Sequence, residues 1–412
     1  MKNIPVRDPL WKHIYIPEAL FEGMNTKAFV RLTRIRQLGP TELLYPGAVH
    51  TRAGHSIGVY AIAKRLLDVL SRKGADSWLT KTGEISWYAA ALFHDIGHFP
   101  YTHSLKELPL EDHEVLSARV VETGEIAECI KKAGGEPEQV AAIIDKERPC
   151  SDPETLFYRK LLSGVLDPDK LDYLNRDAYY CGVPYGVQDT DFVLDRLIPH
   201  KEKGIILNSD GILSVENLLF SKYMMYRSVY WHKQVRIATA MMKKTLYAAL
   251  EKNLIQADQL YQLDDQSVFR LIESIDEKNI FPEKKCATDV MNRNLFVVIW
   301  EGLFVQNNPN HLILEDLKKR TEVESKIASA LGINPAEIII DVPEPISFES
   351  DLWIQDENLP FTQSSTVFSA TTVQSFTNSL RKIRVAIPKH YCVRNPVEFQ
   401  KKIASFFDLG YN

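Results

Sequence analysis

Residues 92–103 read LFHDIGHFPYTH, and they carry the strongest chemical signal in the chain. An apolar run comes directly before the first histidine and predicts a buried helix. Because Pro100 disfavours helical geometry at the residue before it, we expect this helix to end near His98. His94 and Asp95 would then lie at a helix end, pointing about 100° apart, where they could hold one metal ion from two sides.

Two other stretches supply histidine and carboxylate side chains from different helices. Residues 50–59 read HTRAGHSIGV, and residues 166–177 read LDPDKLDYLNRD. For an isolated His-Asp pair, a capped histidine beside an aspartate that binds a backbone N–H would be the better interpretation. The order His, His-Asp, Asp on three helices instead favours a metal site. Two imidazoles and two carboxylates suit manganese, iron, zinc or nickel, whereas magnesium alone prefers oxygen ligands.

Three motifs follow one another along the chain: R-x-x-H-S-x-G-V, H-D-I-G-H-x-P-x-x-H and D-x-D-K-x-D-Y-x-x-R-D. Together they resemble those of the HD-domain phosphohydrolases. The resemblance is narrower to the deoxynucleoside triphosphate triphosphohydrolases, which include the vertebrate SAM-and-HD-domain enzyme. It extends over about residues 8–233, well over half of the chain.

The resemblance implies a metal centre and assigns its ligands residue by residue. It predicts a divalent transition metal (manganese, iron, zinc or nickel), alone or together with magnesium. His50 is expected to be structural, because the first ligand of the family aligns with the next histidine. The four implied ligands are His55, His94, Asp95 and Asp169.

Three more histidines follow the His-Asp pair, and histidine titrates near neutral pH without much tuning. By resemblance, His113 and His103 would handle the proton of the attacking water and the proton given to the leaving group. His98 would hold phosphate. The family carries an acid shortly after the position of His103, where this chain has Leu105 and Lys106, so the proton relay departs from the family pattern.

The motif after Pro168 predicts one helix face that binds nucleotide, since Lys170, Tyr173 and Asp177 are spaced i, i+3 and i+7. Lys170 would neutralise phosphate, Tyr173 would pack against the sugar, and Asp177 would accept a bond from the 3′-hydroxyl. A plain core role for Tyr173 is the alternative.

The other substrate contacts rest on the resemblance. Gln37 matches a sugar-contacting position, and Arg52 would place a guanidinium beside the metal and the triphosphate. A long basic helix would supply three further phosphate contacts. Lys222 stands where the family usually has arginine, so a bidentate clamp becomes a point charge. The three cations are Lys222, Arg227 and Lys233.

The function implied by the resemblance is metal-dependent release of a deoxynucleoside and tripolyphosphate from a deoxynucleoside triphosphate. An HD-type phosphatase or phosphodiesterase that acts on another nucleotide is one alternative. A nucleotide sensor or assembly module without turnover is the other, and the intact set of metal ligands argues against it. The predicted partner is therefore a nucleotide.

Regulation is expected to differ from that of relatives gated by guanine nucleotides. Those relatives use an Asp and an Arg, eight residues apart, to bind the base of the activator. An ungapped alignment places Asn25 and Thr33 at these positions, and Ile4 and Arg7 at two positions that help to hold its phosphates. We predict activity without GTP or dGTP.

Composition sets broader limits. The 412 residues are 45% hydrophobic and 25% charged with a formal net charge of -5, so a nucleic-acid partner is not indicated. Five widely spaced cysteines without a C-x-x-C pair favour free thiols in a reducing cytoplasm. No apolar run approaches the roughly 20 residues of a membrane span. We therefore expect a cytoplasmic protein, and a homo-oligomer, a dimer or higher.

The pattern of elements predicts a mostly α fold, in which an HD-domain helical bundle is followed by a smaller α+β C-terminal region. We divide the chain into an HD phosphohydrolase domain over residues 1–255 and the C-terminal region over residues 256–412. The HD core would span about residues 50–180, and one long helix would span about residues 215–250. The smaller predicted elements are a helix from residue 25 or 26 to about 38, a hairpin over 205–214, a polar loop over 362–379, strands at 14–16, 338–340 and 383–387, and a last helix over 397–407.

Overall fold

A computed structural model of the protein describes residues 2–275, 281–346, 348, 350–391 and 396–407. Helices dominate this part of the chain, as the sequence predicts. The helices of the N-terminal part are α1 Glu18–Met24, α2 Lys27–Leu32, α3 Arg52–Arg72, α4 Lys81–Phe93, α5 His113–Glu122, α6 Gly124–Ala133, α7 Pro137–Ile144, α8 Pro153–Leu162, α9 Pro168–Cys181, α10 Thr190–Arg196, α11 Ile212–Met225 and α12 Lys233–Glu251. Those of the C-terminal part are α13 Ala257–Tyr261, α14 Asp265–Ser274, α15 Lys284–Met291, α16 Pro309–Leu312, α17 Leu317–Leu331, α18 Ala370–Leu380 and α19 Pro396–Phe407.

The strands form small antiparallel sheets. β1 pairs with β2, β3 with β4 and β7 with β8, while β9 lies between β5 and β6 in a three-stranded sheet. The strands are β1 Asn3–Asp8, β2 Lys12–Pro17, β3 Ile198–His200, β4 Gly204–Ile206, β5 Val297–Leu303, β6 Ile339–Asp341, β7 Trp353–Ile354, β8 Leu359–Pro360 and β9 Lys382–Ile387. These bounds confirm the predicted strands at 14–16, 338–340 and 383–387 to within one or two residues.

Helices α3, α4 and α9 form the centre of the HD bundle, where α3 packs against the other two. Threonine caps start two of them: the side chain of Thr51 accepts from Gly54 N and that of Thr80 from Gly83 N. The buried Trp87 on α4 donates to the carbonyl of Ala63 on α3 at 3.0 Å. The mostly α fold with an HD helical bundle is therefore confirmed.

Helix α9 begins and ends as the sequence predicts. Asp167 caps it by accepting from Lys170 N at 2.7 Å, and Pro168 occupies the first turn, where its missing N–H costs nothing. Gly182 follows the last turn with φ 67°, a left-handed conformation that glycine adopts without strain. This framing fixes the direction of the carboxylates on α9.

The predicted long helix over residues 215–250 is wrong, because it is two helices. Helix α11 ends at Met225, a five-residue π-helical turn runs over Tyr226–Tyr230, and His232 has an extended ψ of 132° and caps α12. We call Tyr226–Tyr230 the tyrosine turn. The break needs no proline or glycine, which explains why the sequence pattern missed it.

Four smaller predictions also need correction. The helix predicted from residue 25 or 26 to 38 ends at Leu32, and the helix expected to end near His98 ends at Phe93, with Asp95 in the following turn. The hairpin predicted over 205–214 pairs residues 198–206 instead, because residue 212 starts α11. The predicted polar loop over 362–379 contains α18, which Ser369 caps by accepting from Thr372 N.

The C-terminal part combines helices with the sheet of β5, β9 and β6, so the α+β prediction is confirmed. Helices α17 and α19 pack on this sheet over a core that includes Ile327, Ile340 and Val385. A second core lies under α12 and joins it to α15 and the sheet. The division at residue 255 stays a prediction.

Four cysteines fall within the described ranges, and each is a free thiol, while Cys392 lies outside those ranges. Among the described helices, none has the length and apolar character that crossing a membrane requires. The homo-oligomer and the cytoplasmic location stay predictions.

Candidate active site

A cavity of about 490 Å³ opens between the HD helices, the tyrosine turn and the C-terminal part, which contributes Val342, Glu344 and Ile346. This volume lies within the range of about 300–1,000 Å³ typical of small-molecule sites. The cavity brings together many residues that the sequence singles out. Those that line it are Gln37, Arg52, His94, Asp95, His103, His113, Asp169, Tyr173 and Asp177.

The four predicted metal ligands converge from three helices. His55 projects from the first turn of α3, His94 and Asp95 follow the last turn of α4, and Asp169 lies in the first turn of α9. Nε2 of His55 lies 2.8 Å from Oδ1 of Asp169 and 3.9 Å from Oδ2 of Asp95. Nε2 of His94 lies 3.4 Å from Asp95 and 3.7 Å from Asp169. Donor atoms of His55, His94 and Asp95 all lie within 4.8 Å of one another, so one ion could contact these three, and Asp169 adjoins both histidines.

The contacts of His94 fix which of its ring nitrogens faces the other candidate ligands. Its Nδ1 donates to the carbonyl of Ala91 at 2.9 Å, so Nε2 faces Asp95 and Asp169. Burial acts to lower the pKa of His94, but these two carboxylates raise it. Nε2 is buried and finds no hydrogen-bond partner among the described residues, because 3.7 Å to Asp169 is too long for a bond. An orphaned imidazole nitrogen facing two carboxylates fits a divalent transition metal.

His55 is held from behind by a residue that the sequence analysis did not assign to the site. Its Nδ1 donates to Oδ2 of Asp172 at 2.8 Å, and Trp11 Nε1 and Arg176 also bond this carboxylate. Burial acts to lower the pKa of His55, but Asp169 and Asp172 on its two sides raise it to about 10. The proton held at Nε2 stands where a metal would bind. A carboxylate behind a ligating histidine is the usual support of such sites.

Gly58, in the first motif, allows this support. A Cβ at position 58 would overlap both the carboxylate of Asp172 and the guanidinium of Arg176. Glycine is therefore required on α3 where α9 approaches closely. The first motif contains Gly58, but the sequence alone does not show why glycine is required at this position.

Arg52 lies beside Asp95, one of the four predicted ligands. Its Nη1 donates to Oδ2 of Asp95 at 2.8 Å, and both side chains are buried. Burial acts to raise the pKa of Asp95, but His98, His94 and Arg52 hold it well below its usual range. The pKa of Asp169 is likewise held down by His55 and His94 against burial. Both carboxylates are therefore ionised at neutral pH.

His98, His103 and His113 form a histidine trio, with one ring nitrogen of each within 4.8 Å of the others. The ring centres of His98 and His113 are 4.0 Å apart, and His103 is exposed to the cavity. Burial, and then Arg52, lower the pKa of His98 well below the usual value, so His98 is neutral at pH 7. The trio could hold a phosphate or a proton, and it is a second group with the donors for a metal.

Gly97 of the second motif explains how His113 reaches the trio. A Cβ at this position would overlap the backbone of α5 at His113 and Ser117. Gly97 N also donates to Ser117 Oγ at 2.8 Å. The turn after α4 and the start of α5 can therefore touch only because residue 97 is glycine.

Aromatic side chains, among them Tyr173 and Tyr230, line one part of the cavity, which we call the aromatic end. Tyr173 faces Tyr230 of the tyrosine turn with ring centres 6.4 Å apart. Asp177 is buried behind them and accepts from Tyr230 Oη at 2.6 Å and from His50 Nε2 at 2.7 Å. His50 thus has a buried carboxylate partner within the protein, and its structural role stays a prediction.

Four cations that the resemblance assigns to phosphate are not among the described residues that line the cavity, and their contact with phosphate stays a prediction. Lys170 Nζ lies 2.7 Å from Asp167 and bonds the carbonyl of Gly164. Lys222 is buried 5.7 Å from the ring centre of Phe348. Exposed Arg227 donates to Tyr223 Oη, and Lys233 is exposed at the start of α12.

Other cations occupy the cavity walls that the structure describes. Lys106, whose position was noted only as a departure from the family, lines the cavity beside the trio. Two more come from the face of α12 that follows the break, and the basic bias of this region was the available signal. The wall cations are Arg36, Arg52, Lys106, Lys146, Arg236 and Lys243.

Models of known protein families match both parts of the chain. Residues 52–173 match the HD domain family, and residues 193–406 match the HD associated region. The uncharacterized protein YwfO of Bacillus subtilis is 30% identical over 357 residues, which are 81% of this chain and 78% of that protein.

Two further proteins bear on activity and fold. The deoxynucleoside triphosphate triphosphohydrolase SAMHD1 homolog of Dictyostelium discoideum is 25% identical over 72% of this chain, and the match spans 60% of that relative, less than two thirds of its length. A crystal structure of a hypothetical protein from Aquifex aeolicus shares the fold with a TM-score of 0.74, at 23% identity over 97% of this chain and 100% of that one. The chain belongs to the HD-domain phosphohydrolase family and carries an HD-associated region after its HD domain.

Proposed function

We propose that the protein hydrolyses deoxynucleoside triphosphates to a deoxynucleoside and tripolyphosphate. The observation that carries this proposal is that one cavity is lined by residues of the metal-ligand cluster, by residues of the histidine trio and by an aromatic end that contains Tyr173 and Asp177. The metal-ligand cluster and the histidine trio would bind the phosphate chain, and the aromatic end would bind the nucleoside. The named activity of the Dictyostelium relative supports the same substrate class.

The residues divide the work by position. A divalent metal bound by His55, His94, Asp95 and Asp169 would polarise a phosphate oxygen and activate water. Arg52 lies between Asp95 and the carbonyl of Gln37, where its guanidinium would neutralise the triphosphate. Buried Gln37 Oε1 finds no bond among the described residues and is free to accept from the sugar.

The bond that breaks is the one between the α-phosphorus and the 5′ oxygen of the sugar. Water attacks the phosphorus, one trio histidine takes its proton, and a second gives a proton to the departing 5′ oxygen. His113 and His103 have these roles, and His98 holds a phosphate oxygen. Glu114 also lines the cavity, and burial raises its pKa, so an acid lies near the trio although Lys106 stands in the family position.

Tyr173 would select the deoxyribose. Its ring lies against Tyr230 in the aromatic end, and a 2′-hydroxyl packed on this face would be crowded. Asp177 already accepts two protein bonds, yet a carboxylate has capacity for more, so it can also bind the 3′-hydroxyl.

One observation favours a second candidate. Lys170, Lys222, Arg227 and Lys233, the cations that the resemblance assigns to phosphate, do not line the described cavity. An HD phosphatase or phosphodiesterase acting on another nucleotide would not need them. The two candidates differ in their products.

The test is to incubate the metal-loaded protein with each dNTP and NTP in water enriched in ¹⁸O and to separate the products. We expect deoxynucleoside and tripolyphosphate, with the label in the tripolyphosphate because water attacks phosphorus. Orthophosphate with a nucleoside diphosphate would establish the second candidate. Binding without any product would establish the sensor alternative. The His113→Gln variant controls for contaminating phosphatases and should lose the activity.

A further inference from the structure

Residues 99–112 carry His103 and connect α4 to α5, and we call them the histidine segment. Apart from the short 3-10 turn Thr102–Ser104, the segment has no helix or strand. Its backbone bonds to itself only through local turns, such as Ser104 N to Tyr101 O at 2.8 Å and Leu108 N to Leu105 O at 2.9 Å. Contacts with other parts of the molecule must therefore fix where His103 points.

The apolar side chains of the segment do not pack in the HD core. Phe99, Leu105 and Leu108 are buried in the second core, together with residues of α12 and of the C-terminal part such as Ile272 and Phe296. Glu111 N also donates to the hydroxyl of Tyr261 on α13. The segment that carries a proposed catalytic histidine is thus built into the C-terminal part.

Glu107 adds a buried charge contact to the same attachment. Its Oε1 accepts from Nη2 of Arg320 on α17 at 2.5 Å, and its Oε2 accepts from Nη1 at 3.1 Å and from Nζ of Lys243 on α12. Both cations are less than 9% exposed. Arg320 is fixed in turn by donating to the carbonyl of Leu314 at 2.6 Å. Lys243 lines the cavity, so the cluster extends from the C-terminal part to the cavity wall.

We propose that Glu107, clamped by Arg320 and Lys243, is a positioning residue through which the HD-associated region holds His103 in the histidine trio. The inference rests on the proposed function, because it assigns His103 a part in catalysis. It gives the HD-associated region a task in the reaction, although that region contributes none of the predicted ligands or catalytic histidines.

The geometry explains why the clamp acts on His103. Glu107 lies four residues after His103, and Leu105, between them, is buried in the second core. Removing the carboxylate leaves two cations in a buried site without their anion, so the segment must move or admit water. A displacement of about 1 Å is enough to impair a proton transfer.

The chain contains a matched control. Lys244 and Glu324 form a buried ion pair at 2.6 Å between the same two helices, α12 and α17. This pair bonds the backbone of the C-terminal part at Ile338 and Ile340, and the described contacts of both residues do not include the histidine segment. Loss of this ion pair should weaken the contact between α12 and α17 without releasing His103.

The experiment compares Glu107→Gln and Arg320→Gln with the control Glu324→Gln in the full-length protein. Hydrogen exchange measures protection of amides in residues 99–112, elemental analysis measures bound metal, and steady-state kinetics on dATP measures kcat and KM. Thermal unfolding measures how much stability each variant loses. Exchange and kinetics are then compared at a temperature below the unfolding transition of every variant.

We expect Glu107→Gln and Arg320→Gln to accelerate exchange in residues 99–112 by about tenfold or more. Their kcat should fall about 10- to 100-fold with KM nearly unchanged, and metal content should equal that of the wild type. Arg320→Lys keeps a cation beside Glu107 and should recover most of both effects. Glu324→Gln should change neither the exchange of the segment nor kcat.

Equal effects of Glu107→Gln and Glu324→Gln would show a general loss of stability and overturn the proposal. Unchanged exchange in residues 99–112 after loss of Glu107 would also overturn it. If the wild type released no deoxynucleoside from any dNTP, the proposed function would fail. The exchange comparison would still decide whether the clamp holds the segment.

Discussion

Nδ1 of His55 lies 2.8 Å from Oδ2 of Asp172, and both side chains are fully buried. This bond fixes which way the imidazole faces and leaves Nε2 directed at Asp95 and Asp169. Carboxylates that support ligating histidines change metal affinity by about 10- to 100-fold. The relationship therefore predicts a function for Asp172 that is separate from its contribution to the fold.

Asp172→Asn should weaken metal binding by about 10- to 100-fold, because an amide oxygen supports the imidazole less strongly than a carboxylate. Competition with a chelator, followed by elemental analysis, measures the affinity. Asp8→Asn is the control, since Asp8 pairs with the same Arg176 at 2.9 Å without contacting His55. Both variants should lose stability, but only Asp172→Asn should release metal. Equal metal affinity of the two would reject this role.

Gly58→Ala should destabilise the HD core and release metal, because its methyl group would overlap the carboxylate of Asp172 and displace it from His55. Forced overlaps of this kind cost about 1–3 kcal/mol. Gly54→Ala on the same helix is the control, since its Cβ would lie 3.8 Å from its nearest neighbour. That variant should be as stable as the wild type or up to about 1 kcal/mol more stable. Thermal unfolding and metal content distinguish the two.

The four predicted ligands should bind metal as a unit. A variant that combines His94→Ala with Asp95→Ala removes two donors that no nearby side chain replaces, so purified protein should contain little metal and show no turnover. Elemental analysis of the purified proteins is the measurement. A metal content equal to that of the wild type would show that the ion binds elsewhere, with the histidine trio as the alternative group.

Tyr173→Ala should narrow the preference for dATP over ATP by about tenfold or more, because the crowding of the 2′-hydroxyl is lost. The ratio of kcat/KM values for the two nucleotides is the measurement. Tyr179→Ala is the control on the same helix, since Tyr179 is 59% exposed and does not line the described cavity. If wild-type rates on ATP and dATP are equal, Tyr173 does not contact the sugar.

The sequence singled out the candidate metal ligands because the features that place each of them are local. Each ligand lies within one turn of a helix end, and caps such as Asp167 with Pro168 fix that end from neighbouring residues. The convergence of three such ends in space came from the resemblance, not from spacing.

The wall cations could not be predicted in the same way. Which face of α12 looks into the cavity depends on the tyrosine turn, and an unbroken helical pattern over residues 215–250 hides it. The turn changes the direction of every side chain that follows, so Arg236 and Lys243 enter the cavity while Lys233 stays outside. Partners distant in sequence, such as Glu107 and Arg320, are likewise visible only in the structure.

Asn25 and Thr33 stand where gated relatives bind the base of a guanine-nucleotide activator, and each bonds a nearby backbone carbonyl instead. Asn25 Nδ2 donates to the carbonyl of Phe21 at 3.2 Å, and Thr33 Oγ1 donates to that of Val30 at 2.7 Å. Neighbouring cations cannot replace the missing arginine without breaking existing pairs. Arg34 is paired with Asp264 at 2.5 Å and Arg36 with Glu42 at 2.6 Å.

Hydrolysis should therefore proceed without GTP or dGTP. A base held by a charged hydrogen bond gains about 1.5–3 kcal/mol, and neither Asn25 nor Thr33 supplies a charge. Each dNTP is assayed alone and with added GTP, and we expect the same rate in both arms. A variant that combines Asn25→Ala with Thr33→Ala should behave as the wild type, because these side chains bond only their own helices in the described contacts. If every dNTP alone is inert and micromolar GTP starts hydrolysis, an activator site exists elsewhere and the prediction is wrong.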